Sequence, residues 1–130
     1  MAAKTWILTD VAAGKYEEEI SITAKDVGVT ADGYSIEKKT LRGGLSDGVD
    51  AITVNNGKFS FTVLPTRGMN VWKAWLGETE IGWQSPVHGP VHPKFVPLNE
   101  PSGLGWLDGF DELLVRCGLE SNGAPEFDEE

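Results

Sequence analysis

Arg67, two histidines four residues apart and a trio of carboxylates are the groups in this chain best placed by type and spacing to do chemistry. Arg67 follows Pro65-Thr66 and precedes Gly68, a junction where a planar guanidinium can be held rigidly and fork onto ligand oxygens. The same group could cap a turn or pair with one of the 20 acidic residues, and residue type alone leaves both uses open. Arg116 alternates with apolar neighbours and could point from a sheet face into a cleft. His88 and His92 have the spacing of a helical metal pair, but Pro86, Pro90 and Pro93 preclude a regular helix and no third ligand accompanies them. No metal site is expected. Either imidazole could bond a ligand hydroxyl or move a proton near neutral pH, or simply bond to backbone. Asp108, Asp111 and Glu112 could be imagined as a paired-carboxylate hydrolase site, yet nothing sets two of them across a cleft, so a solvated acidic face is expected.

The aromatic residues sharpen this picture. Of five tryptophans, Trp6, Trp72 and Trp75 are expected to fill the core, while Trp83 and Trp106 bracket a loop that holds five of the seven prolines and both histidines. The sequence contains no nucleophile elbow, phosphate-binding loop, dinucleotide fingerprint or zinc-spaced cysteine set.

The elements that must position these groups read as strands. A first short strand is expected over residues 5–8, ending at Asp10, and residues 17–23 could open a helix by their acids or form a strand by their alternation, the strand being preferred. Residues 34–38 alternate clearly. Residues 50–54 and 58–63 flank Asn55-Asn56-Gly57, and Asn-Gly supplies the positive φ angles of a primed turn, so a β-hairpin is predicted. In its second strand Phe59, Phe61 and Val63 share one face and Ser60 and Thr62 the other, predicting one core side and one more polar side. Pro65 ends that strand. A strand over 69–76 turns at Gly77-Glu78 into residues 79–83, and a stiff, proline-punctuated loop spans 84–105. Trp106, Leu107, Phe110, Leu113 and Leu114 have helical spacing, although Val115 and Gly118 shorten any helix.

Composition bounds the rest. One hundred and thirty residues, 40% hydrophobic, fit a single folded domain, and sixteen glycines with seven prolines suit short strands joined by many turns. Residues 120–130 read as an exposed acidic tail. The net charge of −9 disfavours nucleic acid and anionic membrane surfaces, while a neutral ligand is not penalised. Cys117 is the only cysteine, so no intrachain disulfide can form, and its apolar surroundings predict a structural thiol. The beginning of the chain lacks a signal-peptide pattern and no stretch is long enough to span a bilayer, so a cytoplasmic location is expected.

Thr66-Arg67-Gly68-Met69, Gly82-Trp83-Gln84-Ser85-Pro86 and the stretch 104–119 occur in an order that resembles the amino-terminal part of the galactose-mutarotase-like proteins, in an aldose 1-epimerase-like branch. The resemblance runs from about Trp6 to Pro125. It implies a mainly β fold, an antiparallel β-sandwich with at most one short helix and a sugar cleft on a concave sheet face. It also implies a short helical turn near 106 followed by a strand from about Leu113. Family members with proven activity interconvert aldose anomers without a cofactor, a carboxylate base and a histidine acid acting on opposite sides of the ring. By this resemblance Arg67, Trp83, His88, His92, Trp106 and Arg116 are the expected sugar contacts, with His92 the one candidate for proton transfer. The His-Gly-Arg-like segment and the later carboxylate base are not in these 130 residues, so the chain resembles an amino-terminal portion with weak sugar affinity and little turnover. A non-catalytic carbohydrate-binding module and a structural assembly domain are the alternatives. A partial sandwich would also expose sheet edges and favour self-association.

Overall fold

The computed structural model describes residues 4–116. Eight strands and one short helix follow in order: β1 (Thr9–Asp10), β2 (Lys15–Tyr16), β3 (Glu19–Thr23), α1 (Ala24–Val27), β4 (Tyr34–Thr40), β5 (Asp50–Asn56), β6 (Phe59–Leu64), β7 (Asn70–Leu76) and β8 (Thr79–Ile81). Strands β3 to β8 form one six-stranded antiparallel sheet in sequence order, and β1 and β2 pair separately. The fold is thus mainly β and antiparallel, the layering of a β-sandwich, as expected. Residues 5–8 are not a strand; pairing begins only at Thr9, opposite Tyr16. Cys117, the end of the 106–119 stretch and the acidic tail lie outside the described residues.

The β5–β6 hairpin forms where the Asn-Gly signal placed it, but by a different device. Asn55 pairs with Ser60, so the turn residues are Gly57 and Lys58, and Gly57 alone takes a positive φ, +91°. Asn56 instead stays extended and its side-chain oxygen accepts the Lys58 and Phe59 N–H groups at 3.0 and 2.8 Å. Glycine is required here a second time, because a Cβ at Gly57 would stand 2.3 Å from the Asp32 carbonyl oxygen.

Register gives the large sheet two unlike faces. Ile22, Ile36, Val54, Phe61, Ala74 and Ile81 fall opposite one another across all six strands, with Ile20, Ile52, Val63 and Val71 on the same side. The other face carries Ser21, Glu37, Thr53, Thr62 and Lys73. The sequence predicted the alternation of β6 correctly but not its burial. Thr62 and Leu64 are its most buried residues, while Phe59, Phe61 and Val63 are only half-buried. The reason is where covering layers lie. Leu64, Val49 and Ala51 form the core with Leu41 and Trp72 on the polar side, at the end where residues 84–114 pack. The two-stranded sheet covers only one corner of the apolar face.

A buried polar network fastens that corner. Lys38, 1% exposed, donates to Asp50 Oδ1 at 3.1 Å and to the Glu17 carbonyl, and its ammonium sits 4.2 Å from the centre of the Tyr16 ring. Asp50 Oδ1 also accepts from Tyr16 at 3.0 Å and Thr40 at 2.7 Å. Burial pushes the Asp50 pKa up, but hydrogen bonds from Thr40, Lys38 and Tyr16 outweigh it and hold the carboxyl below its ordinary value. A depressed carboxylate pKa stabilises the fold above the unfolded value of about 4 and loses that contribution as pH falls through the lower folded value. Asp50→Asn should therefore lower unfolding free energy by about 3 kcal/mol at neutral pH and remove part of the acid-induced loss, as read by urea titrations from neutral pH downwards.

Candidate functional site

The chain leaves β6 at Pro65, makes a 3₁₀ turn over Pro65–Arg67, and reverses through Gly68 and Met69, with φ of +69° and +62°. Glycine adopts such angles without strain, whereas Met69 is an unusual side chain to find there. The turn delivers Arg67 beneath the returning loop. After β8 that loop runs through the 3₁₀ turns Pro93–Phe95 and Gly105–Gly109 and rejoins the sheet at Leu114, which pairs with Val71. It can rejoin because Trp72 is the extra residue of a β-bulge, Thr62 facing Lys73 while Val63 faces Val71. The Trp72 carbonyl then accepts the Leu113 N–H at 3.0 Å. The family resemblance implied a short helical turn followed by a strand from about Leu113; the turn is present, while among the described residues the pairing is a single bridge, Leu114 with Val71.

Arg67 and Glu112 meet where loop and sheet close. The Arg67 Nε donates to Glu112 Oε1, and Nη1 donates to the Val91 carbonyl at 2.8 Å. Glu112 Oε1 also accepts from Asn70 Nδ2 at 3.3 Å, and Oε2 accepts the Asp111 N–H at 3.0 Å. Glu112 is buried, its side chain 1% exposed, and Arg67 is mostly covered, its side chain 13% exposed. Glu112 is thus no part of a solvated acidic face: the dielectric around it demands a partner, and Arg67 supplies one. Its one sequence clue was position, immediately before the apolar run 113–115. Nothing in the sequence named Arg67 as its counterpart. Gly109 permits the close passage, since a Cβ there would lie 2.6 Å from Val96 Cγ2 and 3.3 Å from Arg67 Nη1.

Around this pair opens a cleft of about 370 Å³. Thr66, Arg67, Gly68 and Asn70 form one side, and Pro93, Val96, Leu98, Trp106 and Phe110 the other. The turn at Arg67 and the proline-punctuated loop therefore enclose one hollow. Its lining is mainly apolar, with Thr66, Arg67, Asn70 and Glu112 as the polar members, and Trp106 stands edge-on to Phe110 at 5.3 Å between ring centres. Nη2 of Arg67 makes no hydrogen bond among the described residues.

The other sequence-predicted residues divide. Arg116 lies at the rim, its backbone N–H on Asn70 Oδ1 at 3.0 Å and its Nε on the Gly68 carbonyl at 3.2 Å. His92 is next to Pro93 but does not line the cleft; its Nδ1 accepts the Lys94 N–H at 3.1 Å and its own N–H donates to Leu45. Trp83 and His88 line a second, more polar cleft of about 310 Å³ with Lys73, Glu80, Gln84 and Asp111. Trp83 packs 5.6 Å from Phe110 and donates its indole N–H to the Glu112 carbonyl, so it buttresses the partition between the two clefts. Asp111 faces this second cleft and accepts the Trp72 indole N–H at 2.8 Å. Thr66, Asn70 and Phe110 line the first cleft and were not singled out by sequence. Among the described residues, no group of three or more His, Cys, Asp or Glu side chains could hold a metal ion. No helix there is long and apolar enough to cross a membrane.

A family model described as a domain of unknown function, DUF4432, matches residues 46–130. The structure is similar to the crystal structure of a candidate aldose 1-epimerase from Klebsiella pneumoniae subsp. pneumoniae. The two share 38% sequence identity with a TM-score of 0.81, over 88% of this chain and 30% of that one. The chain thus spans less than a third of that protein's length. No curated protein matches the sequence.

The buried pair makes a measurable claim. Glu112→Leu or Arg67→Met alone should each destabilise by about 3 kcal/mol or more, because the surviving charge is left buried without its partner. The double variant should recover much of that loss, and a double-mutant cycle by chemical denaturation measures the coupling. Additive single effects would show that the pair does not hold the loop.

Proposed function

The chain belongs to the DUF4432 family, and from that membership and its aldose 1-epimerase-like fold we propose that it is a carbohydrate-binding domain whose sugar lies in the Arg67 cleft. The observation carrying this reading is the pairing, in one hollow, of a fixed guanidinium with an open edge and an aromatic wall. A pyranose presents apolar C–H faces and a rim of hydroxyls. Trp106 and Phe110 suit the first; Arg67 Nη2, Thr66 and Asn70 suit the second. Glu112 fixes the guanidinium beforehand, so little ordering is left to do on binding. Arg116 at the rim and His92 beside Pro93 are within the same neighbourhood, whereas Trp83 and His88 belong to the second cleft.

The domain is proposed to bind without turning over. Anomer interconversion needs a base and an acid poised on either side of the ring. Glu112 is committed to Arg67, and His92 Nδ1 to the Lys94 N–H. Interconversion by a longer protein of this kind would rest on groups supplied by its other segments. We also propose that the chain self-associates through exposed sheet edges, beside which the largely apolar face of its large sheet is lightly covered.

Titrating glucose and galactose against tryptophan fluorescence should give dissociation constants in the millimolar range, on the order of −4 kcal/mol. Trp106→Ala should weaken them about tenfold, ~1.4 kcal/mol, with the fold retained, since Trp106 is half-exposed. Polarimetry of freshly dissolved sugar should show no acceleration. Faster mutarotation would establish catalysis within these residues. Absence of any binding would leave assembly as the role.

A further inference from the structure

We propose that two copies of this chain join edge to edge through β3, antiparallel about Ser21. This rests on the self-association proposed above and says where it occurs. Strand β3 is a terminal strand of the six-stranded sheet, paired on one side by β4. The Thr40 N–H donates to the Glu18 carbonyl, which makes residues 18 and 40 a hydrogen-bonded pair; alternation then turns Ile20 and Ile22 toward β4. The backbone groups of Glu19, Ser21 and Thr23 consequently point outward. Thr23 is already engaged as the N-cap of α1: its N–H donates to Asp26 at 2.8 Å and its carbonyl accepts the first helical bond.

An outward row of this kind is a template for a further strand, and its own sequence is a suitable one. With Ser21 opposite Ser21 of the second copy, the two serines exchange a pair of N–H to carbonyl bonds. Each Glu19 N–H then approaches a Thr23 carbonyl, whose second lone pair is left over from the helical bond, so the serine pair is the main tie. Ile20 falls opposite Ile22 in both directions, so the apolar face of one sheet continues into the other. No carboxylate faces another. A slip that put Glu19 on the axis would oppose two of them, so charge selects the register. The other edge offers less: β8 is three residues long and all exposed, and Lys73 lies 3.6 Å from its Glu80.

The test is light scattering of the full chain during size exclusion, from micromolar to millimolar concentration. Wild type should be a dimer. Ser21→Lys sets two ammonium groups face to face at an exposed position and should weaken the dimer about tenfold or more. Ser21→Pro removes an outward N–H that β4 does not use and should do the same, with circular dichroism confirming a retained sheet. If the proline variant loses its sheet, the lysine variant decides. A wild-type monomer throughout would overturn both self-association and the edge pairing. A dimer that survives both substitutions but is dissolved by Val54→Lys would overturn the edge pairing and transfer the interface to the apolar face.

Discussion

Two opposite charges out of water hold this molecule's site in shape. Arg67 comes from a tight turn between β6 and β7, and Glu112 from the long loop that follows β8. Neither could be buried alone at tolerable cost, because an unpaired charge in a low-dielectric interior is among the most unfavourable things a fold can contain. Each therefore requires the other. That mutual requirement sets where the loop lands, brings Leu113 and Leu114 onto the exposed edge of β7, and leaves a cleft between turn and loop. Asn70, the Val91 carbonyl and the Asp111 N–H complete the hydrogen bonding, so the pair is a satisfied network rather than an isolated contact.

The sheet has a corresponding asymmetry. Its polar face carries the loop, both clefts and the small core of Val49, Ala51 and Leu64. Its apolar face is half-buried along most of its length and fastened at one corner by the Lys38–Asp50–Tyr16 network. A sheet of this composition gains most by being covered, and the hydrophobic effect supplies the drive whichever chain provides the cover. The clefts and the lightly covered apolar surface thereby lie on opposite sides of one layer.

Much of the architecture was legible because its signals are local. Alternation in 34–38 and 58–63 set strands and faces, Gly57 set the hairpin, and the prolines of 84–105 set an irregular loop. Errors arose where local signals were ambiguous or where burial depends on distant chain. Asn56 carries the residue type of a left-handed turn position yet stays extended, since Gly57 and Lys58 close the turn instead. Thr62 is polar and buried, while Phe61 is apolar and only half so, because covering layers rather than side-chain type decide exposure.

The candidate site divides along the same line. Sequence alone determined that Arg67 sits at a rigid junction, that Trp83 and Trp106 bracket a stiff loop, and that His88 and His92 share no regular helix. These follow from neighbours within a few residues. Only the tertiary structure decided that Glu112 is buried against Arg67 and that Trp83 and His88 face a different cleft from Trp106. Those outcomes depend on which groups meet across 20 to 50 positions of chain, as in the 45-residue separation of Arg67 and Glu112. Burial and charge pairing are properties of that meeting, and a linear string of residue types does not contain them.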